Sequence, residues 1–209
     1  MKLNSHIRNL LICILLLLLA GIAVTVFWKS TPVPPSSQAA SAVSPHTKKK
    51  AVRHKKKSVM RQPIDWRKSS ETKPYPKVKK GMWLHVSLKK QRVYVMSADQ
   101  HVLYTMYAST GVETPERKTP KGTYHIQAER GRYFYSPSEQ EGAYYWGSWL
   151  HHGEYLFHST PTDVNKKFIQ SDAKDLGKKP SSHGCVHLSV ADAKWVYENI
   201  PYGMKVVID

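Results

Sequence analysis

Cysteine is nearly absent: the 209 residues contain two, Cys13 and Cys185. Two thiols cannot form the disulfide framework of a small secreted scaffold, so the fold has to rest on a packed core. Acidic residues are scarce as well, 15 against 32 lysines and arginines, for a formal net charge of +17. That scarcity is local. Before Gly81 there are 17 Lys and Arg against two acidic residues, and from Gly81 onward 15 against 13. The later part is therefore close to neutral, which suits one ordinary folded domain with an uncharged or mixed-charge ligand. Large aliphatic side chains are few from Ser30 to about Lys80, where Pro, Ser, Ala and Lys dominate. A segment of that kind cannot offset its conformational entropy by packing, so it reads as a disordered or extended basic stalk.

One long apolar run is present. Leu10 to Trp28 carries no charge, follows Lys2, His6 and Arg8, and is closed by Lys29. Its length meets the requirement of about 20 residues for crossing a hydrocarbon core. A cleaved signal peptide is the competing reading, with Gly21-Ile22-Ala23 as the small residues at a cleavage site. The run continues through Val24, Val26, Phe27 and Trp28, which favours an uncleaved single-pass anchor. Cys13 is then an ordinary membrane residue, and Cys185 is the unpaired thiol of the exported part. The expected division is 1–29 anchor, 30–80 stalk and 81–209 folded domain. Lys48-Lys49-Lys50 and His54-Lys55-Lys56-Lys57 resemble a nucleic-acid arm in isolation, but a preceding membrane span argues against nucleic acid and for anionic lipid or acidic polymer.

From Met82 the pattern changes. Leu84, Val86 and Leu88 alternate with Trp83, His85 and Ser87, and Arg92 to Met96 alternates again after Lys89-Lys90, which predicts a hairpin. His101–Ala108 reads as a third strand, Thr110–Gly122 as a loop, and Thr123–Gln127 and Tyr155–His158 as further strands. Ser189 followed by Asp192 predicts a capped helix with an apolar face of Ala193, Val196, Tyr197 and Ile200, stopped by Pro201 and Gly203. Met204–Ile208 closes the chain as a strand. The fold class is mainly β with one clear helix near the carboxy terminus.

The chemistry concentrates in Ser181-Ser182-His183-Gly184-Cys185-Val186-His187. If this stretch is extended, His183, Cys185 and His187 share one face, because side chains two apart do. A thiolate needs a nearby imidazole, cation or aligned dipole to exist near neutral pH. Gly184 lets a ligand approach the backbone, and the amides beside Cys185 can face a developing oxyanion. Spacing alone does not choose between His158 and His183 as the base. His151, His152, His158, His183, His187 and Cys185 also invite a zinc reading, but their spacing matches no common zinc signature. His151 and His152 read as surface residues. Of the aromatic-rich region from Glu129 to Gly153, Tyr145 and Trp146 are the candidates for a cleft wall, the rest being core.

Ser182-His183-Gly184-Cys185-Val186-His187-Leu188-Ser189, followed by Ala191 to Trp195 and by Lys205-Val206-Val207-Ile208, resembles the L,D-transpeptidase catalytic domain, the YkuD family. Phe157-His158-Ser159-Thr160-Pro161 resembles its second catalytic segment, and Ser109-Thr110-Gly111 and Thr119 to Tyr124 resemble its turn motifs. The resemblance covers about Gly81 to Asp209. It implies a compact β-sandwich-like domain and an acyl transfer without metal or organic cofactor. It also implies Cys185 as nucleophile, His158 as its base, the Ser159 carbonyl orienting that ring, and His183 with the backbone at Gly184 near the oxyanion. The implied substrates are peptidoglycan stem peptides. The enzyme then sits in the cell membrane with its catalytic domain outside the cytoplasm, and its stalk adheres to lipid or wall polymer. Two departures stand out: His187 occupies a position where the family more often has Arg or Asn, which makes it a candidate substrate contact, and the polar insert Asn165–Lys179 lengthens the interval from His158 to His183. A thiol hydrolase and a non-catalytic wall-binding module remain open on the same motifs.

Overall fold

The structure, a computed structural model, describes residues 59–209. Leu10–Trp28 and most of the expected stalk lie outside the described residues. Among the described residues no helix is long and apolar enough to cross a membrane.

Alternation of buried and half-buried side chains builds the strands. β1 (Trp83–Ser87) turns Leu84 and Val86 inward, and β2 (Arg92–Met96) does the same with Val93 and Val95. They pair antiparallel as the expected hairpin, and β3 (Val102–Ser109) adds to β2. The chain continues through β4 (Gly122–His125), β5 (Arg130–Ser136), β6 (Glu141–Leu150) and β7 (Tyr155–Ser159). The helix α1 (Gln170–Asp175), β8 (Val186–Leu188), the helix α2 (Val190–Asn199) and β9 (Lys205–Ile208) follow. The nine strands form one sheet in the order β4-β9-β1-β2-β3-β8-β7-β6-β5. β1 pairs parallel with β9, and β7 pairs parallel with β8. The sheet curls until its halves meet: Gln127 N donates to Ser148 O and Ser148 N to Glu129 O, each at 2.8 Å. Mainly β is thus the architecture, one curled sheet rather than two separate sheets, its two parts joined end to end along β3, where Val102–Tyr107 pair with β2 and Ala108–Ser109 with β8.

Inside the curl sit Tyr104, Met106, Trp149, Phe157, Val186, Leu188 and Val206, with α2 against them through Ala193, Val196 and Ile200. The Ser189 side chain accepts from Asp192 N and caps α2. Tyr197, expected on the buried face, is half-exposed, and Trp195 is buried instead.

The expected stalk boundary at Lys80 lies too late. Residues 59–80 fold back on themselves, with Thr72 N donating to Val59 O and Arg61 N to Ser70 O. They then cap the open side of β3. There the sheet divides: β8 reaches only Ala108 and Ser109, so earlier amides of β3 that face away from β2 have no strand partner. The Glu71 carboxylate accepts from Thr105 N at 2.8 Å and Ser70 Oγ accepts from Tyr107 N at 2.7 Å. The Ser70 and Tyr75 hydroxyls in turn donate to the buried Asp192 of α2. A buried amide without an acceptor is costly, so these polar side chains replace a missing strand.

The insert Asn165–Lys179 is likewise packed. It contains α1, whose Ala173 joins Leu176, Trp66 and Tyr107 in a second small core, and Gly177 N donates to Ala108 O at 2.8 Å.

Candidate active site

The parallel pairing of β7 with β8 sets Phe157 opposite Val186 and His158 opposite His187. Phe157 and Val186 are fully buried in the core, so His158, Cys185 and His187 take the other face, where all three line a cavity of about 540 Å³. The His158 and His187 rings lie 4.7 Å apart, centroid to centroid.

His158 Nδ1 is 2.7 Å from the Ser159 carbonyl oxygen. A carbonyl only accepts, so Nδ1 carries the proton and Nε2 keeps its lone pair. The ring is 4 % exposed, and burial lowers its pKa from 6.5 to about 4 against the opposing effect of that carbonyl. Cys185 is partly exposed. Its sulfur accepts from Leu156 N at 3.4 Å, and its S–H points to the Glu154 carbonyl at 3.7 Å. Desolvation pushes the thiol up to about 12; the Leu156 amide opposes this, and the charges of Glu141, Glu139 and Glu154 add to it. Burial favours the neutral thiol and the neutral imidazole, and the acidic walls add to the penalty on the anion.

His183 lies between two carboxylates, with Nε2 3.0 Å from Glu139 and Nδ1 3.7 Å from Glu141. Glu141 is itself raised to about 7, by burial first and then by the charges of Asp172 and Glu139, with Arg117 opposing. Gly184 has φ +118°, and a Cβ there would come within 2.8 Å of the Tyr155 ring. Its N–H is already given to Ser182 Oγ at 3.1 Å and its carbonyl accepts from Thr119 Oγ1 at 2.8 Å. The Gly184 amide is therefore not a free oxyanion donor in this structure. Ser159 Oγ donates to the Thr160 carbonyl and accepts from Tyr144 N, so its carbonyl belongs to a fixed segment. His187 is 2 % exposed and held well below its usual pKa, chiefly by burial and then by His158, His183 and Arg117.

Tyr145 and Trp146 do not line this cavity. Tyr145, at φ +55°, faces a separate groove with Arg132, Tyr133, Tyr144 and Lys194. Trp146 covers Gly131 and meets Phe134 edge-on at 6.1 Å. Phe134, which meets the His158 ring edge-on at 5.4 Å, and Tyr155 are the aromatic side chains of the Cys185 cavity. Sequence reasoning missed them, and it missed Glu139, Glu141 and Glu154. Period-2 counting along β5 would have put Phe134 on a different face from Tyr133, but nothing in the spacing says which face meets the thiol. His151 and His152 are exposed and pair with Glu154 and Glu129 at 3.0 and 2.9 Å. Among the described residues no three His, Cys, Asp or Glu side chains are grouped to hold a metal ion.

The family model for the L,D-transpeptidase catalytic domain, YkuD, matches residues 81–208. YciB of Bacillus subtilis (strain 168), provisionally named an L,D-transpeptidase, is 44 % identical over 179 residues, 80 % of this chain and 91 % of that protein. Among solved structures, an L,D-transpeptidase from Mycobacterium smegmatis superposes with a TM-score of 0.50 at 20 % identity, over 62 % of this chain and 58 % of that one, a likeness of fold. With a family match over most of its length and a relative of that identity, the chain belongs to the L,D-transpeptidase (YkuD) catalytic domain family.

Proposed function

We propose that this protein cross-links peptidoglycan by transferring an acyl group through Cys185. The observation that carries the reading is the 2.7 Å bond from His158 Nδ1 to the Ser159 carbonyl, which leaves Nε2 as a base in the cavity that Cys185 also lines. The donor is a tetrapeptide stem whose amide between the third residue and the terminal D-alanine enters the cavity. The Cys185 S–H proton passes to His158 Nε2 as sulfur bonds to the carbonyl carbon, since neither partner is charged beforehand. Backbone N–H groups near Cys185 stabilise the resulting oxyanion. The C–N bond breaks, the imidazolium gives its proton to the departing D-alanine amine, and a thioester remains on Cys185. An amine of a neighbouring stem attacks that thioester, forms the new amide, and returns the sulfur to its thiol form with the proton the amine loses. The chemistry uses no metal or organic cofactor. The Leu10–Trp28 segment anchors the chain in the cell membrane, and the basic stretch from Ser30 holds the domain on the outer side against anionic lipid or wall polymer.

Full-length chain incubated with tetrapeptide stems, with and without an acceptor amine, tests the reading by mass spectrometry. The expected result is a Cys185 adduct, release of D-alanine and amine-dependent dimers, all lost in Cys185→Ala. D-alanine release with no dimer at any amine concentration would make the protein a hydrolase. Retention of stem binding with no adduct would make it a binding module. Stalk adhesion is read as binding of the full chain to anionic vesicles, weaker at high salt; salt-independent binding rejects it.

A further inference from the structure

Charge is distributed unevenly around the Cys185 cavity. Glu116, Glu139, Glu141 and Glu154 line it, against the single guanidinium of Arg117. Glu139 and Glu141 come from the turn and first residue of the β5–β6 hairpin, and both reach the same imidazole, His183. Each side chain retains access to solvent, 43 % for Glu139 and 22 % for Glu141, so neither is sealed into the protein by that contact. His183 shows what this pair accepts: an N–H donor that can carry positive charge.

A second feature of the same cavity is independent of the carboxylates. His187 is 2 % exposed and lines the cavity, and its Nδ1 has no hydrogen-bond partner in the protein. A buried nitrogen left unpaired is costly, and here the open side is the cavity, from which a ligand or a water can complete its bonding. Burial favours the neutral form of His187, in which one ring nitrogen is an acceptor. Carboxylates beside a neutral imidazole suit a ligand that carries N–H donors and positive charge, and repel a carboxylate ligand.

We propose that the Glu139–Glu141 wall is a binding site for a primary ammonium group of the stem peptide, with the buried His187 nitrogen completing the ligand's hydrogen bonding directly or through one water. The inference rests on the acyl-transfer reading of the site and deepens it. Two sources share this chemistry: a side-chain ammonium on the donor stem, or the acceptor amine, which docks protonated and gives up a proton before it attacks. The site favours cationic over uncharged stems of the same shape, and salt weakens the preference.

The test uses the full chain. Donor tetrapeptides with lysine or norleucine at the third position are compared for the rate of adduct formation on Cys185, and a lysine-type amine is compared with uncharged hydroxylamine for the KM of transfer. The expected result is a preference for the charged partner of about tenfold, which corresponds to one good charge-assisted contact. It should appear in the donor series if the donor supplies the ammonium and in the acceptor series if the acceptor does. Glu139→Gln/Glu141→Gln should remove most of the preference, and 0.5 M salt should shrink it. Equal behaviour of charged and uncharged partners in both series would overturn the proposal. So would full reproduction of the double-variant effect by His183→Gln, since the carboxylates would then act only by positioning that ring. Titration of the same peptides and amines into Cys185→Ala reads the charge preference without chemistry. A wild-type chain that forms no adduct with any donor therefore sinks the acyl-transfer reading separately from this one.

Discussion

Lowering the pH from 7 to 4.5 should destabilise the protein, and more steeply once Glu141 is replaced by Gln. His158 is buried neutral, with its pKa down from 6.5 to about 4. Between those values the unfolded chain binds a proton there and the folded chain does not, so stability falls as pH falls through that window. At about 1.4 kcal/mol per pH unit the full loss is on the order of 3 kcal/mol. His187 shifts in the same direction and adds to it. Glu141 works the other way. Its folded pKa of about 7 exceeds its ordinary 4.5, so between 4.5 and 7 the folded chain binds the extra proton and stability rises as pH falls. The two effects are of similar size and opposite sign, and Glu141 is discounted for its access to solvent. Because two histidines oppose one discounted carboxyl, wild type should lose stability as pH falls, and Glu141→Gln should lose it more steeply. Urea unfolding at half-unit steps from pH 7 to 4.5 measures both, and Glu141→Gln/His158→Gln should lose about one proton of linkage relative to Glu141→Gln. Parallel stability curves for those two variants would refute the claim that a buried neutral His158 governs the acid limb.

Glu71→Gln and Ser70→Ala should each lower stability by about 1–3 kcal/mol, since each weakens the acceptor of a β3 amide and Ser70 also serves Asp192. A midpoint in urea within experimental scatter of wild type would remove the capping argument. Gly184→Ala should abolish adduct formation, because φ +118° is strained for alanine and the new Cβ would meet Tyr155 at 2.8 Å. Full activity in that variant would show that the loop holding Cys185 tolerates rearrangement.

Periodicity and punctuation made part of the fold legible in the sequence. Leu84, Val86, Val93 and Val95 announce their hairpin because one face of it is buried. Ser189 and Asp192 announce α2 because a capped first turn is a local structure. The segment 59–80 was illegible for a physical reason: it has few aliphatic side chains, and it is held by Ser70, Glu71 and Tyr75 bonding to β3 and to a buried aspartate. Polar anchoring across more than a hundred residues of sequence, as between Ser70 and Asp192, leaves no periodic trace. Cys185 and His158 were readable from their motifs. Their surroundings were not, because Glu139 and Glu141 reach the cavity only through the pairing of β5 with β6 and of β6 with β7. The sequence displayed the histidines beside Cys185 and hid the carboxylates.

The carboxylates that add to the penalty on a negative sulfur are the same ones proposed to receive an ammonium group, and the two roles fit together. A cation placed on Glu139 and Glu141 cancels the charge that opposes a negative sulfur, so the thiol becomes easier to ionise as the substrate settles. Reactivity would then be low toward stray electrophiles and higher in the occupied cavity. Desolvation remains the largest cause of the raised pKa, so removing the two charges should shift it only partway toward the ordinary thiol range. Alkylation of Cys185 by iodoacetamide at pH 8 should therefore run a few-fold faster in Glu139→Gln/Glu141→Gln than in wild type, because the thiolate fraction rises as the pKa falls. In wild type the rate should keep climbing from pH 8 to 10 without a plateau. A plateau near pH 7, or slower alkylation in the double variant, would mean that the anion already stands beside His158 and that the acidic wall does not restrain it.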